Sequence, residues 1–229
     1  MAFSVTSRAA VHAALGDPVR LMIADVLVSS DRSPKELSER LNIGSNLLAH
    51  HLDVLETAGV VTRSASSGDG RRKYVRLNHD LVSGMLLQPE LPSRVLFLCT
   101  RNSARSQLAS TLWRARTGRH SSSAGTDPAP QIHRGAIEAA RRAGLVLEDR
   151  APTHVDRIPA GTQVITVCDM AHEGLDGADG WWHWSIADPV ESATPAAFDR
   201  TVRDLDRRIA LLSSTVPTPT PPENHRSHR

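Results

Sequence analysis

The chain has 229 residues, of which 40% are hydrophobic and 23% charged, and its formal net charge at pH 7 is +2. A chain of this length has room for two small domains. The mild charge neither demands nor excludes a nucleic acid partner, so local clusters of charge must decide that point. Two cysteines in a chain this long favour thiol chemistry in a reducing compartment over a disulfide framework.

The sequence contains no evident targeting or membrane segment. Residues 1–10 lack the long apolar stretch of a secretory signal. No apolar run approaches the roughly 20 residues that a membrane-spanning helix needs. We therefore expect a soluble, cytoplasmic protein with no membrane partner.

The N-terminal part has the pattern of a helix-turn-helix. Residues 7–29 predict two helices separated at Gly16-Asp17-Pro18, with the aspartate as N-cap and the proline at the first helical position. A capping-box spacing from Ser33 to Glu36 starts a third helix. A short turn then leads into a helix over residues 45–58, whose apolar positions recur every three and four residues. Two helices joined by so short a turn predict a helix-turn-helix.

A basic hairpin follows these helices. Residues 59–63 and 73–77 alternate like strands around a glycine-rich tip, and Arg71-Arg72-Lys73 flanks that tip. A helix-turn-helix followed by such a hairpin is a winged helix, in which the second helix enters the major groove and the wing contacts phosphates or the minor groove. Residues 80–87 predict one more short helix.

The stretch from Ser33 to Asn78 resembles the ArsR-type repressors, particularly in Ala49-His50-His51-Leu52 and in the wing Gly70-Arg71-Arg72-Lys73-Tyr74. The resemblance implies binding of double-stranded DNA by a homodimer formed through the N-terminal domain. The residues expected to contact DNA are Ser45, Asn46, Ala49, His50, Arg71, Arg72 and Lys73. The As(III) site of the family's metalloid sensors needs soft thiolates, and no cysteine precedes Cys99. We predict no metal site.

Two prolines, Pro89 and Pro92, bracket a short linker, which places a domain boundary near residue 91. Three segments are predicted: a DNA-binding domain over residues 1–90, a second domain over 91–214, and a disordered tail rich in proline, serine and histidine over 215–229.

The second domain alternates strands with helices. The predicted strands are 94–98, 121–126 and 164–167, and the predicted helices are 107–117, 135–143 and 197–212. Such alternation favours a parallel sheet with helices on both faces and a ligand at the carboxyl ends of the strands. The expected fold is α/β overall, with an N-terminal winged helix-turn-helix followed by a three-layer α/β/α domain.

The first of these strands ends in a candidate oxyanion site. Cys99 ends the strand, Arg105 follows after five residues, and Ser106 opens a helix. Backbone N–H groups of such a loop cradle an anion, and the helix dipole favours negative charge there. The same field is expected to lower the thiol pKa from ~8.5 to between about 3.5 and 7.5. Arg105 can donate two hydrogen bonds to a tetrahedral oxyanion.

The Cys-x5-Arg-Ser spacing after a strand resembles the low-molecular-weight protein tyrosine phosphatases and the arsenate reductases built on that fold. The resemblance implies a nucleophile at Cys99, an oxyanion-binding arginine at Arg105, and a hydroxyl at Ser106 that supports the thiolate. Arg101 stands where the family commonly has glycine, and Ala104 where it commonly has cysteine. The remaining oxyanion-binding loop is formed by Thr100, Arg101, Asn102, Ser103, Ala104 and Ser106, with the Asn102 side chain holding the turn.

A carboxylic acid is expected near this loop, because the oxygen that leaves in phosphoryl or arsenyl transfer must be protonated. Asp188-Pro189 matches the Asp-Pro acid loop of the family, which implies that Asp188 is the general acid. An aspartate before proline can also simply cap a turn.

Cys168 separates the candidate functions. The strand that ends at Cys168, Val164-Ile165-Thr166-Val167, resembles the one that precedes the second cysteine of thioredoxin-coupled arsenate reductases. Residues 169–180 lack the third cysteine of those enzymes. Either Cys99 and Cys168 pair directly, or an external thiol of the thioredoxin or mycothiol/mycoredoxin type resolves the adduct. Cys168 can also be a small buried hydrophobe.

The favoured hypothesis is an ArsR-type regulator fused to an arsenate reductase that binds no cofactor and draws on that external donor. The alternatives are a phosphatase that hydrolyses phosphomonoesters through phosphocysteine, and a non-catalytic regulator that senses oxyanions or redox state. In each case arsenate or phosphate is the expected ligand.

Overall fold

The computed structural model describes residues 4–82, 89–147, 150–175 and 180–213. The N-terminal part contains α1 (Val5–Leu15), α2 (Pro18–Ser29), α3 (Pro34–Leu41), α4 (Ser45–Thr57), β1 (Val61–Ala65), β2 (Lys73–Leu77) and α5 (His79–Val82). The C-terminal part contains β3 (Arg94–Cys99), α6 (Arg105–Thr117), β4 (His120–Gly125), α7 (Arg134–Arg142), β5 (Gln163–Thr166), α8 (Asp169–Gly174), β6 (Trp182–His183), α9 (Pro189–Ser192) and α10 (Pro195–Ser213).

Two predicted features lie partly or wholly outside the described residues. The helix predicted over 80–87 begins as α5, but residues 83–88 are not among those described. The tail predicted over 215–229 also falls outside them. Within the described ranges, no helix is both long and apolar enough to span a bilayer.

The predicted helix starts are confirmed by their caps. The Asp17 carboxylate accepts a hydrogen bond from the Arg20 N–H at 3.0 Å, at the start of α2. At the start of α3 the Glu36 N–H donates to Ser33 Oγ (3.3 Å) and the Ser33 N–H donates to Glu36 Oε2 (2.6 Å), which completes a capping box. Asn42 then takes a left-handed φ of 51° and ends α3, so the chain turns into α4 within three residues.

The hairpin is confirmed with a shifted first strand. β1 and β2 pair antiparallel from Val61 opposite Leu77 to Ala65 opposite Lys73. The first strand begins two residues later than predicted because Gly59 has a φ of +75°, which interrupts an extended run. Tyr74 and Val75 are both fully buried although they are adjacent in β2. Neighbouring residues of a strand face opposite sides of the sheet, so both faces of the wing are buried. The C-terminal part of the chain buries one of these faces.

The second part forms the predicted parallel sheet, with strand order β4-β3-β5-β6. Alternating residues of β3 face two apolar clusters. Val95 and Phe97 belong to the larger cluster, together with buried residues of α6, α7 and α10. Leu96 and Leu98 belong to a smaller cluster on the other face. Strand β6 was not predicted, because Trp181-Trp182-His183-Trp184 reads as aromatic packing and not as a strand.

The larger cluster is continuous between the two parts of the chain. It includes Ile23 and Leu27 of α2 as well as Phe97, Trp113 and Trp184. The indole of Trp184 is 1% exposed and donates from Nε1 to the carbonyl of Ser29 at 2.9 Å. The winged helix is therefore packed against the sheet domain through a shared core.

Candidate active site

The loop between β3 and α6 surrounds the sulfur of Cys99. The Asn102 N–H donates to Cys99 Sγ at 3.1 Å, and Ser106 Oγ lies 3.1 Å from the same sulfur. Asn102 Nδ2 donates to Ser106 Oγ at 2.9 Å. Because that bond uses a lone pair of the hydroxyl, the Ser106 proton is free to point at sulfur. The loop thus presents two donors to Cys99.

Asn102 holds the turn, as the sequence predicts. It is fully buried and has a left-handed φ of 47°, a conformation that asparagine adopts more readily than most residues. Its Oδ1 accepts from the Thr153 N–H at 2.9 Å and from Gln107 Nε2 at 3.2 Å. Arg101, which stands at a common glycine position, has no positive φ, so the loop does not need glycine there. Its guanidinium pairs with Asp127 at the rim.

A second loop, residues 126–133, supports the first and was not predicted from the sequence. Its N–H groups donate to the carbonyls of the predicted nucleophile loop, residues 99–105: Asp127 to Thr100 (2.9 Å), Ala129 to Arg101 (2.9 Å) and His133 to Ser103 (2.9 Å). Two prolines directly after a strand end were the available signal. Gly125, which precedes this loop, leaves no room for a side chain, because a Cβ there would lie 2.5 Å from the Thr100 carbonyl oxygen.

The tertiary structure brings Arg105 to Asp188. Arg105 is 6% exposed, donates from Nη1 to the carbonyl of Ile186 at 3.1 Å, and donates from Nη2 to Asp188 Oδ2 at 2.5 Å. The other carboxylate oxygen of Asp188 accepts from the Val190 N–H at 3.0 Å. Asp188 therefore both caps α9 and faces the predicted oxyanion site, so the two interpretations of this residue are compatible.

The expected lowering of the Cys99 pKa is wrong for the free site. Burial raises the pKa of this thiol, and the hydrogen bond from Ser106 and the charge of Arg105 offset that effect only in part. The residue is 3% exposed, so a thiolate there loses its hydration. The Arg105 charge is also shared with the Asp188 carboxylate.

Cys168 lies beside the nucleophile loop. Both cysteines are free and buried, and Cys168 Sγ lies 3.3 Å from Thr100 Oγ1. This position follows from the register of the sheet, in which Leu98 of β3 pairs with Thr166 of β5. The two strand ends therefore carry the two thiols to the same edge of the sheet. Among the described residues, no group of histidine, cysteine or carboxylate side chains could hold a metal ion.

Comparison with known proteins decides the family. Residues 94–218 match the family described as low molecular weight phosphotyrosine protein phosphatase. The chain belongs to this family. Residues 15–64 match a helix-turn-helix domain, so the chain joins a helix-turn-helix to a phosphatase-family domain, as predicted.

The individual relatives match each part separately. The transcriptional repressor SdpR of Bacillus subtilis (strain 168) is 35% identical over 52 residues, which are 23% of this chain and 58% of that protein. The chain thus spans less than two thirds of the curated relative it matches. Among solved structures, the tyrosine phosphatase AmsI of Erwinia amylovora is 18% identical with a TM-score of 0.46 and covers 55% of this chain and 94% of its own. An arsenate reductase of Archaeoglobus fulgidus DSM 4304 is 23% identical with a TM-score of 0.42 and covers 50% of this chain and 94% of its own.

The helix-turn-helix residues predicted to contact DNA lie at the surface. Ser45, Asn46, Ala49 and His50 are all exposed on α4, whereas Leu48, Leu52 and Leu55 of the same helix are buried. His51 is 7% exposed, with Nδ1 3.8 Å from Asp17 Oδ1. The two histidines therefore separate into one surface residue and one packed residue, as the helical spacing predicts.

The predicted basic flank of the wing is divided between two environments. The Arg71 side chain is 93% exposed, and Lys73 is exposed as well. Arg72 instead faces the phosphatase-family domain, with Nη1 3.4 Å from the Tyr74 hydroxyl and 3.9 Å from Glu173 Oε1. In this arrangement Arg71 and Lys73 are the more accessible cations of the wing.

Proposed function

We propose that the chain is an ArsR-type DNA-binding regulator fused to a thiol-dependent arsenate reductase. One observation carries the choice of reductase: the buried Sγ of the free Cys168 lies 3.3 Å from Oγ1 of Thr100, the residue that follows the proposed nucleophile. Hydrolysis of a phosphoester requires no second thiol, whereas reduction of arsenate requires two electrons from thiols.

The first step uses Cys99, Arg105 and Asp188. Arg105 leaves its bond with Asp188 and donates both Nη groups to the oxyanion. Once released by Arg105, the Asp188 carboxylate takes up the proton that the Cys99 thiol gives up. The resulting thiolate attacks arsenic(V) of dihydrogen arsenate, an As–O bond breaks, and Asp188 passes that proton to the departing oxygen, which leaves as water. The product is an adduct in which Cys99 Sγ is bonded to arsenic(V).

The second step uses Cys168. Its thiolate attacks Cys99 Sγ and forms an S–S bond as the S–As bond breaks. The electron pair of that bond stays on arsenic, which becomes arsenic(III) and leaves as arsenite, while the two sulfurs are oxidised to the disulfide. A thiol donor of the thioredoxin or mycoredoxin type then returns both cysteines to the thiol state.

A phosphatase is the second candidate, and the geometry of Asp188 favours it equally. An acid beside the oxyanion-binding arginine can protonate the oxygen that leaves a phosphomonoester, which then departs as the alcohol. In that reaction Cys99 forms phosphocysteine and water releases phosphate. Cys168 would then serve only as a buried apolar side chain.

Turnover of arsenate and of an aryl phosphate by the purified protein distinguishes these functions. We expect arsenite release with a thiol donor, loss of that release in Cys99→Ser and in Cys168→Ser, and loss of both free thiols in a single turnover without donor. Release that persists in Cys168→Ser would show that an external thiol resolves the adduct. Phosphate release alone, unchanged in Cys168→Ser, would establish the phosphatase. Binding of oxyanion without turnover would leave the sensor hypothesis.

We also propose that the N-terminal domain binds double-stranded DNA as a homodimer, with Ser45, Asn46, Ala49 and His50 in the major groove and Arg71 and Lys73 at the backbone. Arg72, which the sequence predicts there as well, is turned toward Tyr74 and Glu173. The exposure of α4 and of Arg71 supports this assignment. Exposed apolar side chains on α1 and α2, Val5 and Met22, support a subunit contact.

The DNA proposal is tested with a duplex selected from random sequence by the full-length protein. Arg71→Ala is expected to weaken binding and to reduce the salt slope by about one. Sedimentation measures the oligomeric state. An unchanged affinity and slope would exclude the wing contact, and a monomer on DNA would exclude the dimer.

A further inference from the structure

The end of α2 is bonded to the segment that carries Asp188. This segment, residues 183–188, leaves the sheet at β6 and reaches the proposed general acid within a few residues. Its first two residues are bonded to the end of α2 and the residues after it: Trp184 Nε1 donates to the Ser29 carbonyl (2.9 Å), the His183 N–H donates to Ser30 Oγ (2.8 Å), and the Asp31 N–H donates to the His183 carbonyl (2.7 Å).

The carboxylate of Asp31 is the most buried charged group where the N-terminal domain contacts this segment. It is 1% exposed and accepts from Arg208 Nη1 and Nη2, both at 3.0 Å, in a bidentate pair. Arg76 Nε lies 3.5 Å away. Burial acts to raise the pKa of Asp31, but the two guanidinium groups outweigh it and hold the pKa below its ordinary value. The residue is thus a fixed anion at the domain interface.

This anion also binds the acid segment directly. The Ser185 N–H donates to Asp31 Oδ2 at 2.8 Å. The preceding residue, Trp184, still donates its N–H to the Thr166 carbonyl of β5 at 2.8 Å. Ser185 is therefore the first residue past the sheet, and a residue of the DNA-binding domain holds its main chain.

The other end of the segment is held by Arg105, through Ile186 and Asp188. Both of these bonds use the Nη groups that an oxyanion also requires. When Arg105 turns to the oxyanion, the segment from Ser185 to Asp188 loses that anchor, and the Asp31 bond to Ser185 remains.

We propose that Asp31 is a positioning residue of the active site, which holds the acid segment over the nucleophile while Arg105 binds the oxyanion. The proposal rests on the proposed role of Asp188 as general acid and applies to arsenate and phosphoester substrates alike. It means that the winged-helix domain completes the catalytic centre of the phosphatase-family domain.

The test is Asp31→Asn in the full-length chain, compared with wild type and with Asp188→Asn. A misplaced acid slows substrates with poor leaving groups more than those with good ones. We expect kcat for phenyl phosphate to fall about tenfold or more, with a much smaller fall for dinitrophenyl phosphate and little change in KM. With arsenate, whose departing oxygen needs the same proton, kcat should fall by a similar factor.

Two further variants separate positioning from general damage. Ser66→Ala removes a hydrogen bond of 2.7 Å between the wing and Glu173 at the same domain interface, and it touches no atom of the acid segment. It should leave the leaving-group dependence as in wild type. Arg208→Lys keeps a positive charge opposite Asp31 but loses the bidentate fork. It should show the same leaving-group dependence as Asp31→Asn, and it takes the place of Asp31→Asn in the test if that variant does not fold.

The outcomes distinguish the two proposals. The leaving-group signature is a larger fall in kcat for phenyl phosphate than for dinitrophenyl phosphate. If Asp188→Asn shows this signature and folded Asp31→Asn or Arg208→Lys does not, the positioning role is overturned and the general acid stands. If Asp188→Asn also lacks the signature, the acid assignment falls. Wild-type protein that turns over neither arsenate nor aryl phosphate overturns both.

Discussion

Arg105 and Asp188 form an ion pair of 2.5 Å between a buried guanidinium and a partly exposed carboxylate. The residue proposed to bind the oxyanion and the residue proposed to protonate the leaving oxygen therefore bind each other in the free protein. An incoming oxyanion must compete with the Asp188 carboxylate for Arg105. This competition sets the affinity of the free site for anions.

Asp188→Ala is expected to separate binding from catalysis. Removal of the competing carboxylate should lower the inhibition constant of inorganic phosphate, because Arg105 becomes available to the anion. The kcat should fall by about 10²- to 10⁴-fold as the general acid is lost. Competitive inhibition and turnover measure the two effects. Asp127→Ala is the matched control, since it frees the exposed Arg101 at the rim and should change kcat little. Weaker phosphate inhibition in Asp188→Ala would contradict the competition.

Ser106 is expected to control the ionisation of Cys99. A hydrogen bond to a thiolate favours the charged form, so Ser106→Ala should move the Cys99 pKa further upward. The thiolate fraction, and kcat/KM with it, would then rise at a higher pH than in the parent protein. Ultraviolet absorbance of the thiolate in a Cys168→Ser background measures this titration. A downward shift, or none, would show that Ser106 does not donate to sulfur.

Gly125→Ala is expected to distort the nucleophile loop. Its Cβ would lie 2.5 Å from the Thr100 carbonyl oxygen and 3.0 Å from the Asn102 N, and both are main-chain atoms that cannot rotate away. Overpacking of this kind costs about 1–3 kcal/mol of unfolding free energy, and phosphate binding should weaken. Denaturant unfolding and isothermal titration measure the two effects. Gly174→Ala, where a Cβ meets nothing within 4 Å, is the control, and equal losses in both variants would refute the steric explanation.

His79 is expected to destabilise the fold at acidic pH. Burial and the neighbouring Arg208 lower its pKa from 6.5 to about 4, and both ring nitrogens are buried without a hydrogen-bond partner. Between these pH values the unfolded chain binds a proton that the folded chain does not, so stability falls as pH falls through this window. The difference corresponds to about 3 kcal/mol. His79→Asn should remove this slope in urea unfolding, whereas exposed His50→Asn should retain it. An unchanged slope in His79→Asn would assign the acid sensitivity to other groups.

The parts of the fold that local sequence determines were predicted. The Asp17 cap, the Ser33–Glu36 capping box and the helix-turn-helix depend on residues within a few positions of each other, so their geometry follows from short-range hydrogen bonds. The loop from Cys99 to Ser106 could be predicted for the same reason, because a strand end, a tight turn with Asn102 and a helix start follow one another within a few residues.

Three features depended on the tertiary structure. The ionisation of Cys99 is dominated by burial beneath distant segments, which the loop sequence does not record. Arg72 turns toward Glu173 because the wing packs against α8. Strand β6 forms because Trp182 and His183 pair with Ile165 and Thr166, a register that two residues cannot signal by periodicity.

The sequence by itself predicted the residues that we propose to carry the chemistry: two thiols at strand ends, an arginine in an anion loop, and an aspartate before proline. Only the tertiary structure decided what holds them in place. Asp31 meets Ser185 and Arg208 across more than 150 positions of the chain, and Arg105 meets Asp188 across 83. Contacts of this kind are formed by packing between whole domains, and no local propensity or spacing encodes them.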